Sequence, residues 1–222
     1  MNRIAHFIHL DFYTINPYKK PLYLLILVGL VMGVIIGSIS ALPAIIMMGL
    51  LVVMSYPFSI GEKNGMDTLY ATLPIKRKSV VTGRYAFVFC MEIIAAIFAL
   101  LLSAALSVIF TIDLNVTETL VSLCFLTAVF SLVVSLQYPL YFKFGYTKGQ
   151  PFAYLFLSLG ILAIAVWSGI SENLASLTSL NNLWEGISAN PYLMYGLPVG
   201  IGFLFLALSC ALSCRLYEKR DI

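Results

Sequence analysis

Long apolar runs separated by short polar gaps make up almost all of this chain. Runs of about 18 residues or more fall at 22–39, 41–60, 85–111, 119–141, 151–170 and 193–214. A helix of about 20 apolar residues crosses the hydrocarbon of a bilayer. Backbone polar groups in lipid must be satisfied within the segment, so the pattern predicts six transmembrane helices. The fold class is an all-α polytopic membrane protein. The spans consume nearly the whole sequence and leave a single membrane domain over residues 1–222, with no room for a soluble one.

The polar gaps predict the orientation. Residues 1–21 carry Arg3, Lys19 and Lys20; 61–84 carry Lys63, Lys76, Arg77, Lys78 and Arg84; 142–150 carry Lys143 and Lys148; 215–222 carry Arg215, Lys219 and Arg220. The intervening gaps hold Asp113, Glu118, Glu172 and Glu185 but no Lys or Arg. Positive loops are retained in the cytoplasm, so both termini are expected there. The chain is 61% hydrophobic and 10% charged, with a mean hydropathy of +0.97. Its net charge of +3 follows from this topology and does not imply a nucleic-acid partner.

Ahead of the first span, Ile4, Phe7, Ile8, Phe12 and Ile15 share one helical arc, and Arg3, His6, His9 and Tyr13 the other. This predicts an amphipathic helix lying in the cytoplasmic interface over residues 1–21, in contact with membrane lipid. Asp11 interrupts its apolar arc. No small-residue cleavage site follows, so the run from Leu22 reads as an uncleaved first span.

The reagents of an enzyme are missing. His6 and His9 lie before the first span on a polar face, and no HExxH, GxSxG or paired intramembrane carboxylates occur. Without a GxxxxGK[ST] loop, the chain holds no ATP site of its own. Cys90, Cys124, Cys210 and Cys214 fall inside spans and read as packing residues; Cys210 and Cys214, one turn apart, do not make a metal site. Glu92 is the ionisable group within a span, about 10 Å along its helix from Tyr85. It has to face protein or water, either as a structural hydrogen bond or as a polar wall of a substrate pathway. Gly29, Gly33 and Gly37, and again Gly196 and Gly200, predict ridges for close helix packing. Pro43, Pro57, Pro139 and Pro151 are expected near span ends.

The 61–84 gap is more than a retention signal. Gly61-Glu62-Lys63-Asn64-Gly65 is turn-prone, a short helix is expected from Asp67 to Leu73, and Pro74 ends it. Ser79 is placed to cap a helix leading into the third span. Leu69, Tyr70 and Leu73 among charges of both signs suit a surface that docks on a cytoplasmic partner.

Two stretches, SYPFSIGEKNGMDTLYATLPIKRKSVVTGRY at Ser55–Tyr85 and QYPLYFKFGYTKGQ at Gln137–Gln150, resemble the permease subunits of ABC-2-type exporters. The small six-helix bacterial subgroup, which includes the exporters of phenol-soluble modulins, is the most similar. The resemblance implies a bacterial plasma-membrane permease that pairs with a second copy or paralogue over two ABC ATPase subunits. Those partners would bind the ATP and magnesium, and the permease would need no cofactor. By the same resemblance Glu62, Asp67, Leu69, Tyr70, Leu73, Pro74, Lys76, Arg77 and Lys78 lie in or beside a coupling helix seated on the ATPase. Lys143, Tyr146 and Lys148 form a second cytoplasmic contact, and residues 171–192 form shallow external helices. The implied cargo is an amphipathic or hydrophobic substrate, peptides included. A substrate-binding subunit of a vitamin-uptake system would instead need convergent polar groups in the outer halves of its helices, where few occur. A membrane sensor or immunity protein is the third reading.

Overall fold

The computed structural model describes residues 10–13, 23, 27, 31, 42–66, 69, 72, 76–110, 115–155, 158 and 190–219. Four long helices dominate: α1 (Leu42–Lys63), α2 (Arg77–Phe110), α3 (Val116–Phe144) and α4 (Pro191–Glu218). All four are long and apolar enough to cross a membrane. No strand occurs among the described residues. The predicted spans 22–39 and 151–170 and the external segment 171–192 lie largely outside the described residues, although 151–155 are helical.

The four predicted spans that fall on described helices, 41–60, 85–111, 119–141 and 193–214, are each longer in the structure, for local reasons. α1 runs through the expected turn at Gly61 and stops at Lys63, because Gly65 adopts φ +63° and its N–H returns to the Glu62 carbonyl at 3.2 Å. α2 starts at Arg77 instead of 85, which puts Ser79 in its first turn and not at the cap. Its 34 residues extend over about 50 Å, so its first turns project beyond the hydrocarbon. Asn115 caps α3 by accepting from the Glu118 N–H at 3.3 Å, and Glu118 complements the helix dipole. Gly145, at φ +80°, ends it.

The helices form a ring in the spatial order α1, α2, α4, α3, with α3 and α4 packed most extensively. A Cβ on Gly202 of α4 would lie 3.1 Å from Ala128 Cα and 3.1 Å from Ser131 Cβ, so glycine is needed for this approach. No described residue comes within 4 Å of a Cβ built on Gly196 or Gly200, the expected ridge, and Gly29, Gly33 and Gly37 lie outside the described residues.

Pro57 and Pro139 lie inside helices, not at their ends. A proline leaves the carbonyl four residues earlier without its N–H. For Pro139 that carbonyl is Ser135, and the Ser209 hydroxyl of α4 donates to it at 2.6 Å. Because Ser209 spends its proton there, its oxygen accepts from the Tyr85 hydroxyl at 2.7 Å. The Tyr85 oxygen in turn takes the Ser213 proton at 2.8 Å. This polar seam ties α2, α3 and α4 in the half of the bundle nearer Arg77.

Candidate functional site

The end of α1, the starts of α2 and of the helical residues 146–155, and the ends of α3 and α4 meet at one end of the ring. The described cations Lys63, Lys76, Arg77, Lys78, Lys143, Lys148, Arg215 and Lys219 belong to it, with Arg84 two turns further in. Among the described residues the opposite end bears a single charge, Glu118.

Glu62 joins the two sequence motifs. Its carboxylate accepts the backbone N–H groups of Tyr146 and of Thr147, the latter at 3.0 Å. These are orphan donors at the start of the helix that follows Gly145, where a negative charge is favourable. The ring of Tyr146 packs 5.4 Å from Tyr141, which holds the junction against α3. Phe58, Gly61, Glu62, Arg84, Tyr146 and Tyr217 line a pocket beside it.

Beyond Glu62 the 61–84 segment is helical at Met66, Leu69 and Thr72, with Leu69 N–H bonded to the Gly65 carbonyl at 3.2 Å. Leu69 is 48% exposed and presents apolar surface at the charged end. Asp67, Tyr70, Leu73 and Pro74 lie outside the described residues. Lys76, Lys143 and Lys148 are exposed, Lys143 lying over the Phe144 ring at 4.8 Å.

Arg77 and Lys78 have partners within the chain. Arg77 Nη1 donates to the carbonyls of Tyr217 and Glu218, each at 3.2 Å, and so caps the last turn of α4. Lys78 Nζ lies 3.5 Å from Glu218, but both side chains are well exposed and the pair contributes little.

Arg84, counted in the sequence as a loop cation, is only 7% exposed. Its guanidinium stacks 4.1 Å above Phe58 and donates to the Pro57 carbonyl at 3.4 Å. Gly61 leaves room for it, since a Cβ there would sit 3.3 Å from Arg84 Nη2. Asp11, the residue that broke the apolar arc, is buried here. Burial pushes its carboxyl up to about 6, and the attraction of Arg84 partly offsets the rise. Phe12 packs edge-on to Phe87 of α2 at 5.0 Å, so residues 10–13 lie against the bundle.

Glu92 sits deeper, 2% exposed between α2 and α3. Ser131 Oγ donates to its Oε1 at 2.9 Å, and Oε2 has no hydrogen-bond partner among the described residues.

Sequence reasoning had not assigned Arg84, Asp11, Tyr85 or Tyr217 to this site. The signals were present: an acid in an apolar arc, and serines four apart at 209 and 213 in an apolar helix. Their partners, however, come from distant segments.

Among the described residues the chain is an all-helical membrane protein whose charged segments converge on one end. The family model described as "ABC-2 family transporter protein" matches residues 6–218, and the chain belongs to that family. It is a permease subunit of an ABC transporter; such permeases are not themselves catalytic and generally work with ABC ATPase partners. No curated protein and no solved structure matches the chain.

Proposed function

We propose that this chain is the permease of an ATP-driven exporter in the bacterial plasma membrane, with its charged end and both termini in the cytoplasm. Two ABC ATPase subunits bind ATP and magnesium beneath a pair of permeases, the second being another copy or a paralogue. The substrate is amphipathic or hydrophobic, with peptides of the phenol-soluble modulin kind the first class to try. The observation that carries this reading is the Glu62 clamp: it unites the coupling stretch and the Lys143–Lys148 turn at the end where the described cations lie. A docking surface that transmits motion needs such a stiff support. Exposed Leu69 supplies an apolar contact, with Tyr70 and Leu73 expected beside it, while Lys76, Lys143 and Lys148 steer the partner. Glu92 serves as a polar group of the substrate pathway, its Oε2 being the atom left for a ligand.

The test is purification of the tagged chain from native membranes in mild detergent. Recovery of an ABC ATPase, with ATP hydrolysis stimulated by an amphipathic helical peptide, is the expected result. A chain that brings down no ATPase under any mild condition overturns the proposal.

A further inference from the structure

Arg77 is the first residue of α2 and follows directly on the coupling segment, so a displacement of residues 66–76 reaches the bundle through it. Its Nη1 bonds two carbonyls in the last turn of α4, 140 and 141 residues away in sequence. Helix ends carry carbonyls with no intrahelical donor, so a cation placed there fixes the end of the helix. The same two helices are joined again deeper in the bundle, where Tyr85 bonds Ser209 and Ser213. The two levels are eight residues apart on α2, about 12 Å. Two attachments at that separation suppress pivoting of one helix against the other, which a single attachment would permit. α1 has a different anchorage at this end, since Glu62 binds it to the turn after α3.

We propose that Arg77 is a positioning residue that makes α2 and α4 one lever, so that motion of the coupling segment is delivered to α4. The reading deepens the permease function and rests on it. The exposed Lys78–Glu218 pair is dispensable to this linkage, since solvent screens it. Arg77 acts through backbone carbonyls, so the identity of the α4 side chains at 217 and 218 matters less than the presence of a donor at 77.

The experiment measures the distance between nitroxide labels at Thr72 and Arg215, both exposed, in a cysteine-free version of the full chain assembled with its ATPase. Dilution with unlabelled chain isolates the distance within one molecule. In the parent, one narrow distance should persist between the nucleotide-free complex and the complex trapped with ATP and vanadate. With Arg77→Gln the distribution should broaden and shift on trapping, and transport of the peptide per ATP hydrolysed should fall while the ATPase still copurifies. Arg77→Lys, which keeps a point donor, should fall between the two, and Lys78→Gln should keep the parental distance in both states. An effect confined to thermal stability, with parental distances in both states, overturns the lever and leaves the permease reading intact. If the parent recruits no ATPase, the permease reading falls and the lever with it. Should Arg77→Gln fail to fold, Arg77→Lys decides: parental distances and coupling overturn the proposal.

Discussion

Ser209 on α4 donates a 2.6 Å hydrogen bond to the backbone carbonyl of Ser135 on α3, the acceptor that Pro139 leaves without its helical N–H. A proline that costs one helix a hydrogen bond thereby creates a socket for its neighbour. Ser209→Ala should lower the stability of the bundle by about 1 kcal/mol, the usual range for a buried hydrogen bond between membrane helices. In a Pro139→Ala background, residue 139 can donate to Ser135 itself, and the loss on Ser209→Ala should shrink. Thermal unfolding of the four proteins in one detergent measures the coupling; additive losses would dissociate the two features.

The N-terminal segment should respond to pH through Asp11. Its folded value of about 6 lies above the ordinary 3.8, so it binds its proton more tightly when docked. The associated stability is fully present below about 4 and is lost as pH rises through about 6. Among the described residues Arg84 and Tyr138 are titratable or charged groups that act on or respond to Asp11, and Arg84 moderates the effect. Melting temperature in detergent should therefore fall between pH 5 and 7 more steeply in the parent than in Asp11→Asn. Identical slopes would show that Asp11 is solvated in both states.

Glu92→Gln keeps an acceptor for Ser131 and removes a buried ionisable group while nearly preserving volume. ATPase recruitment should survive, and peptide-stimulated ATP hydrolysis should change. A variant with altered melting temperature but unchanged stimulation would mark the residue as structural.

Labelling from outside intact cells gives the orientation. Cysteines placed at Asp113 and Glu185 in a cysteine-free background should react with an impermeant reagent, and one at Lys78 should not. Reaction at Lys78→Cys would reverse the membrane sidedness and remove the docking surface from the cytoplasm.

Apolar and charged docking residues should differ in their response to salt. Leu69→Ala or Tyr70→Ala should weaken ATPase recruitment at any ionic strength, with a cost of about 2 kcal/mol for a buried aromatic anchor. Lys76→Glu should weaken it mainly at low salt, where charges are least screened. Copurification at two salt concentrations separates these outcomes; equal salt dependence for Tyr70→Ala and Lys76→Glu would argue against an apolar plug.

Hydropathy alone placed helices at 41–60, 85–111, 119–141 and 193–214, since only a helix satisfies an apolar backbone in lipid and the bilayer dictates its length. Charge spacing alone gathered the described loop cations at one end. Helix extensions beyond the apolar runs escaped this reasoning, because hydropathy falls at Arg77 while the hydrogen-bonded spiral continues into water. Which cations stay exposed was also decided by tertiary packing. Lys76 is exposed, Arg77 caps a helix 140 residues away, and Arg84 lies between aromatic rings, although all three sit in one short stretch of sequence. A charge pattern records how many cations a membrane side receives, but a cation's partner depends on which carbonyls and rings the packed helices bring within about 3–6 Å. The same holds for Asp11: an acid that breaks an apolar arc in the sequence becomes a buried neighbour of Arg84 only once residues 10–13 lie against α2.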